Sequence, residues 1–451
     1  MFQNESNKLN HIMQNNLIDK QLVDTTMAQC GVSNLDDASI RDTVKIANLL
    51  EKATGEKFIR MEMGVPGLAP SRIGTEAEIE ALKHGVAQFY PMLEGYPVLS
   101  EEASRFVKNF MDVDIRPEGI IPTVGAMQAS YVAFMALTEC HKGKDTILFI
   151  DPGFPVQKTQ LEVIGKPYQT FDIYEYREEK LEAKLREYLD RGNIAGIVYS
   201  NPNNPSWVCL TDFELQVIGK LATEYDTIIL EDLAYFAMDF RKDLSHPGKA
   251  PFQPTVAKYT DNYIFMISSS KFSYAGQRLG LLCISDALFH KKYEHLKERY
   301  KADKLGYTIT YKLIYTQTSG TAHSPQYAVA AVLKAANEGT INILTDVREY
   351  GKRAEIMKTL YKNAGFKVVY DRDGHEDVAD GFYFTIYYPG MTGAELAKEL
   401  LYYGISSITL KGCGSTREGL RACVSQVGLD QMDTLKDRIE RFAKDHTPTE
   451  L

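Results

Sequence analysis

The chain has 451 residues, 44% apolar and 25% charged. That is the balance of a folded globular protein and excludes disorder, collagen and coiled coil as the main architecture. Lysine and arginine total 51 against 60 aspartate and glutamate, a formal charge of −9, so the surface has no general attraction for nucleic acid or an anionic membrane.

The length exceeds one compact core and implies two lobes. Residues 1–38 are polar with scattered apolar positions and read as a terminal arm; the first of them, MFQNESNKLNHIMQNN, lack the apolar stretch of a secretion signal. From Ala38 to Ala53 apolar residues recur near helical spacing, and MEMGVPGLAPS after them is punctuated as a loop. The middle of the chain alternates β-branched runs with helical patterns. The runs are Ile120–Thr123, Thr146–Ile150, Ile194–Tyr199, Thr227–Leu230, Tyr263–Ile267 and Leu279–Ile284. Such alternation predicts an α/β fold, a mainly parallel sheet between helices, with ligands bound beyond the carboxyl ends of the strands. From about Pro325 the pattern changes. One long helical stretch, Gln326–Lys362, leads to apolar runs at Phe366–Tyr370 and Phe382–Tyr388, then to helical patterns at Ala394–Tyr403 and Leu429–Lys444. This predicts a smaller α+β domain. The expected division is 1–66 as arm and part of the small domain, 67–325 as the large domain, and 326–451 as the small C-terminal domain. No apolar run reaches the roughly 18–20 residues that span a bilayer. The six cysteines, Cys30, Cys140, Cys209, Cys283, Cys413 and Cys423, show no CxxC spacing. They argue against a disulfide framework or a metal site and fit a reducing cytoplasm.

The residues just after each run carry the chemistry. After Ile120–Thr123, Gly125 opens a helix with Ala126 and Met127, where backbone N–H groups can face an anion, though an ordinary strand–turn–helix junction looks the same. Phe154, in DPGFP, either stacks on a planar ligand or belongs to the core. The NPNNP loop carries Asn203 and Asn204 on a stiff turn whose amides are free to donate. Asp232 and Tyr235, in EDLAY, address one ligand edge from two directions, or cap a helix. Lys271 follows three serines, Ser268 among them, and Arg278 lies seven residues on. An amine desolvated there has a lowered pKa and is nucleophilic, while the hydroxyls and Arg278 suit a phosphate. Together these groups describe a site for a phosphorylated, planar, carbonyl-bearing cofactor, and pyridoxal 5'-phosphate fits.

On these residues, from about Ser39 to about Phe442, the chain resembles the fold-type I pyridoxal phosphate enzymes of the class I/II aminotransferase family. The resemblance implies that Lys271 bonds the cofactor aldehyde, Asp232 partners the ring nitrogen, and Tyr235 and Asn204 donate to the ring oxygen. It further implies that Phe154 stacks on the ring and that Gly125, Ala126, Met127, Ser268 and Arg278 form the phosphate cup. FYPMLEGYPVL resembles the segment whose tyrosine, here Tyr90, reaches the partner subunit's phosphate. EGLRACVS resembles the segment whose arginine, here Arg421, grips the substrate carboxylate, and Gly64 matches the glycine of the loop over the substrate. Three positions depart from the family pattern: Trp207 stands where glycine is usual, the Lys271-to-Arg278 spacing is seven rather than eight, and Gly153 replaces a bulkier residue.

The implied function is transfer of an amino group between an amino acid and a 2-oxo acid by a ping-pong mechanism, in a homodimer with shared sites. Neither nucleic acid nor membrane is expected as a partner. The alternative is a β-lyase or decarboxylase using the same residues. A DNA-binding regulator built on this fold is disfavoured, because the 38 residues before the first matched segment are not basic and show no helix-turn-helix pattern.

Overall fold

A computed structural model of the chain describes residues 15–272 and 274–448. Its centre is a seven-stranded sheet. The strands in chain order are β1 (Ile120–Val124), β2 (Thr146–Asp151), β3 (Tyr168–Asp172), β4 (Ile194–Ser200), β5 (Ile228–Leu233), β6 (Tyr263–Ser268) and β7 (Leu279–Ile284). They lie side by side as β1-β7-β6-β5-β4-β2-β3. Every pair is parallel except those made by β7, which runs antiparallel to both neighbours. All residues of β2, β5, β6 and β7 are buried, as expected of strands covered on both faces by helices. The short polar edge strand β3 carries no apolar run, so its sequence does not announce a strand.

Register places the chemistry. Ser200 pairs with Asp232 across β4 and β5, and Asp232 with Met266 across β5 and β6. The carboxyl ends of three adjacent strands therefore deliver the NPNNP loop, the EDLAY turn and the SSSK turn to one spot. On the far side Thr123 of β1 pairs with Gly280 of β7. A Cβ at Gly280 would lie 2.7 Å from the Ala126 backbone nitrogen, so a glycine here lets the helix Gly125–Leu137 start close to the sheet.

A second, antiparallel sheet is formed by β8 (Lys367–Val368), β9 (Tyr383–Tyr387), β10 (Ile408–Thr409) and β11 (Leu420–Cys423), in the order β10-β11-β9-β8. A parallel pair, Ile59–Arg60 with Ile405–Ser406, ties the early chain to this side. Of the segment read as a terminal arm, residues 1–14 lie outside the described residues. Lys20–Gln29 form a helix capped by Asp19, and the residues leading into it donate from Leu17 and Ile18 N–H to Tyr402 O.

The stretch Gln326–Lys362 is two helices, His323–Asn337 and Arg348–Asn363, rather than one. Gly339 takes a left-handed φ of +68°. Its N–H donates to Ala336 O and that of Thr340 to Ala335 O, the paired bonds that terminate a helix at a glycine. Apolar periodicity resumes after the break, which is why the pattern read as continuous. Among the described residues no helix is long and apolar enough to cross a membrane.

Candidate active site

A cavity of about 770 Å³ opens where the carboxyl ends of β4, β5 and β6 face the second sheet. At one end the helix Gly125–Leu137 starts with no side chain capping its N-terminus, which leaves N–H groups and the positive end of the helix dipole available to an anion. Ala126, Met127, Ser268, Ser270 and Arg278 line this end. Gly125 has φ +67°, and a Cβ there would fall 2.5 Å from Arg278 Nη2, so the arginine packs directly over the helix start. Arg278 itself is left-handed at φ +55°. Its Nη1 donates to Ala275 O at 3.0 Å and Ser270 Oγ at 3.4 Å.

Lys271 lies on a single 3-10 turn, Ser269–Phe272, immediately after β6. Its Nζ donates to Gly64 O and sits 4.8 Å from the Phe382 ring centre and 5.4 Å from that of Tyr235. Burial is the main reason its pKa falls to about 8; Arg421 and Arg278 push the same way, while Asp232 and Cys423 oppose. Asp232, only 8% exposed, accepts from Ala234 N–H and from Gln157 Nε2, both at 3.0 Å. Burial raises its pKa to about 6 against these bonds and the attraction of Lys271. Tyr235 is buried, and its hydroxyl pairs with that of Tyr383 at 2.8 Å.

Arg421, on β11, is fully buried. Its Nη2 donates to Glu62 O, its Nη1 reaches Asn204 Oδ1 at 3.4 Å, and its carbon end lies 4.7 Å from the Tyr383 ring centre. Among the described residues its Nε has no partner, a charged donor left unpaired in the cavity wall. Asn204, Phe154, Gly64, Asp232, Tyr235, Ser268, Lys271, Arg278 and Arg421 all line the cavity.

Tyr90 is not brought to the site. It is 89% exposed, beside exposed Phe89 and Met92. Two lining residues that sequence reasoning missed are Gln157 and Tyr383. Gln157 stands three residues after Phe154, in the first turn of the helix Pro155–Val163, and a buried polar residue at that offset is a faint signal. Tyr383 comes from β9 and had none. Trp207, where glycine was expected, has φ +63°, a conformation that glycine adopts freely and other residues adopt at a cost of about 1 kcal/mol or more. Its indole is fully buried, packed 5.3 Å from the Tyr235 ring.

These residues fit pyridoxal phosphate. An uncapped helix N-terminus with an arginine and hydroxyls suits the phosphate, a buried carboxylate suits a ring cation, and a half-buried amine with lowered pKa suits the aldehyde.

Comparison with known proteins points the same way. The family described as "Aminotransferase class I and II" matches residues 57–439. A probable aspartate aminotransferase of Methanocaldococcus jannaschii is 23% identical over 350 residues, covering 73% of this chain and 87% of that protein. An aspartate aminotransferase of Pyrococcus horikoshii is 30% identical over 243 residues, 53% of this chain and 59% of that one. Among solved structures, an alanine aminotransferase from Pyrococcus furiosus superposes with a TM-score of 0.73 at 22% identity, covering 90% of this chain and 97% of that one.

Proposed function

From the premise that this chain belongs to the class I and II aminotransferases and uses pyridoxal phosphate, we propose that it exchanges an amino group between an amino acid and a 2-oxo acid through Lys271, Asp232 and Arg421. The observation that carries this reading is the half-buried Lys271, whose amine has its pKa lowered to about 8, in one cavity with a buried carboxylate and a buried arginine. When bound, the cofactor supplies an aldehyde for the amine and a ring that takes up electrons. Lys271 Nζ would remove the substrate Cα proton as base and, as acid, return a proton to the former aldehyde carbon of the cofactor, across the substrate nitrogen. Asp232 holds a proton at the ring nitrogen. Tyr235 and Asn204 donate to the ring oxygen, and Phe154 stacks on the ring. Gly125, Ala126, Met127, Ser268 and Arg278 cradle the phosphate. Arg421 takes the α-carboxylate, to which its free Nε adds a donor, and Gly64 forms the loop over the substrate. The burial of Asp232 and Arg421 keeps bulk water from these two groups.

The assembly proposed is a homodimer in which Tyr90 reaches the neighbouring subunit's phosphate; its exposure beside Phe89 and Met92 supports that reading. A reducing cytoplasm is proposed on six unpaired thiols, four of them buried. The related proteins carry different donor names, aspartate and alanine among them, so the amino donor is decided by a screen. Donors are paired with 2-oxoglutarate or pyruvate, with the new amino acid and free ammonia both measured. Exchange without ammonia supports the reading, and ammonia without exchange supports a lyase. Lys271→Ala is expected to lose the visible absorbance of the resting holoenzyme and nearly all turnover. A normal spectrum in that variant rules out the assignment of Lys271.

A further inference from the structure

Three of the four cations that line the cavity are assigned roles above: Lys271 at the aldehyde, Arg278 at the phosphate and Arg421 at the substrate α-carboxylate. The fourth is Arg41. It stands in the first turn of the helix Ile40–Thr54 and reaches the cavity with residues 36–40, just before and at the start of that helix. Ile40, Met63 and Val65 line the same cavity and offer apolar surface to a short chain of methylenes.

Arg41 is placed there against the local electrostatics. A cation in the first turn of a helix meets the positive end of the helix dipole, and Lys45, one turn on, carries like charge. The carboxylates near it in the chain are committed elsewhere or solvated. Asp42 is turned back into the capping box, accepting from Ser39 N–H at 3.0 Å and from Ser39 Oγ at 2.7 Å. Asp36 lies 3.5 Å from Lys411 Nζ. Asp37 is exposed, where water and salt screen its pull. Among the described residues Arg41 has no ion pair or hydrogen bond. Its backbone is nonetheless fixed, because the Asp42 N–H donates to Ser39 Oγ at 3.2 Å and closes the capping box. An anion in the cavity supplies the partner that the chain does not, and the planar fork of a guanidinium matches the two oxygens of a carboxylate.

We propose that Arg41 determines specificity by pairing with the distal carboxylate of a dicarboxylic amino acid or 2-oxo acid whose α-carboxylate is held by Arg421. The inference rests on the reading of the chain as an aminotransferase with Arg421 at the α-carboxylate, and it names the substrate class that this reading leaves to a screen.

The test uses the holoenzyme of wild type, Arg41→Gln and Arg41→Lys. Aspartate and glutamate are each compared with the amino acid that has a methyl in place of the distal carboxylate, 2-aminobutyrate and norvaline. Loss of the resting visible absorbance, with release of the 2-oxo acid, gives kcat/KM for each donor half-reaction. Wild type is expected to prefer the dicarboxylate in at least one pair, and that preference to weaken as salt is added. Arg41→Gln is expected to reduce the preference about tenfold, the lower end for a charged hydrogen bond because the arginine is exposed. Arg41→Lys is expected to keep part of it, since the charge stays and the fork is lost. The thermal midpoint of Arg41→Gln is expected to equal or exceed that of wild type, because a cation leaves the positive end of the dipole. A preference that is the same in Arg41→Gln as in wild type overturns the inference, and so does a wild type that favours the methyl member of both pairs. Equal losses on both members of a pair make Arg41 structural and overturn it too. If no donor bleaches the absorbance or yields a 2-oxo acid, the underlying reading of the chain as an aminotransferase fails as well.

Discussion

Asp232→Asn separates what the carboxylate does for the fold from what it does for the cofactor. In the cofactor-free protein Asp232 titrates at about 6, against 3.8 for a free carboxyl, with burial as the main cause. Each pH unit of that difference is worth 1.36 kcal/mol. Holding the group ionised at pH 8 therefore opposes folding by about 3 kcal/mol. The sign follows from proton uptake. Between 3.8 and 6 the folded state binds more protons than the unfolded chain, so this contribution destabilises progressively as pH rises through that window and is constant above it. Asparagine has the same shape and no charge to bury. It can still accept from Ala234 N–H, and rotation of the Gln157 amide keeps that contact. The difference in stability between Asp232→Asn and wild type should accordingly grow with pH, by about 2 kcal/mol between pH 4 and pH 6.5. Urea unfolding of the two apoproteins at matched concentration across that range measures it. At pH 8 the variant should bind cofactor yet lose most turnover, since an amide cannot hold a proton on the ring nitrogen. A stability difference that is flat with pH, or that shrinks, refutes the argument that burial of this charge is unfavourable. Unchanged turnover means that another group partners the ring.

Arg421→Ala should raise the amino-acid KM roughly tenfold or more, the scale of a charged bidentate contact, and leave the resting holoenzyme spectrum little changed; a simple amine lacking the carboxylate should be indifferent, and an equal effect on it would make Arg421 structural. Gly64→Ala forces a methyl onto the Tyr383 hydroxyl and should lower kcat/KM, with partial rescue by Tyr383→Phe, which removes the clashing atom; no rescue means that another contact dominates. If Tyr90 serves the neighbouring subunit, mixing Tyr90→Phe with Lys271→Ala subunits should restore activity on exchange, because one site of each heterodimer carries neither change. Activity no higher than that of the separate variants, with exchange shown and Tyr90→Phe alone impaired, rules out a shared site.

The local part of this site was legible in the chain because a short β-branched run followed by Asp232, Asn204 or Lys271 specifies both a strand and what stands at its end. Strand periodicity and turn chemistry are short-range, so the α/β class, the helix beginning at Gly125 and the chain order of the cavity residues could be read before any tertiary contact was known. The helix that ends at Gly339 was misread because apolar spacing resumes after the break, and a left-handed glycine terminates a helix only where the backbone takes that turn. The rest depended on long-range packing. The Tyr235 and Tyr383 hydroxyls that meet are 148 residues apart, Lys271 meets Gly64 across 207, and Arg421 meets Asn204 across 217. No local pattern encodes which strand of the second sheet faces the carboxyl ends of the first. That is set by sheet register and by the burial of the Trp207, Tyr235 and Phe382 rings between the two sheets, and it is this packing that turned Tyr383 from an apolar-run tyrosine into a wall of the cavity.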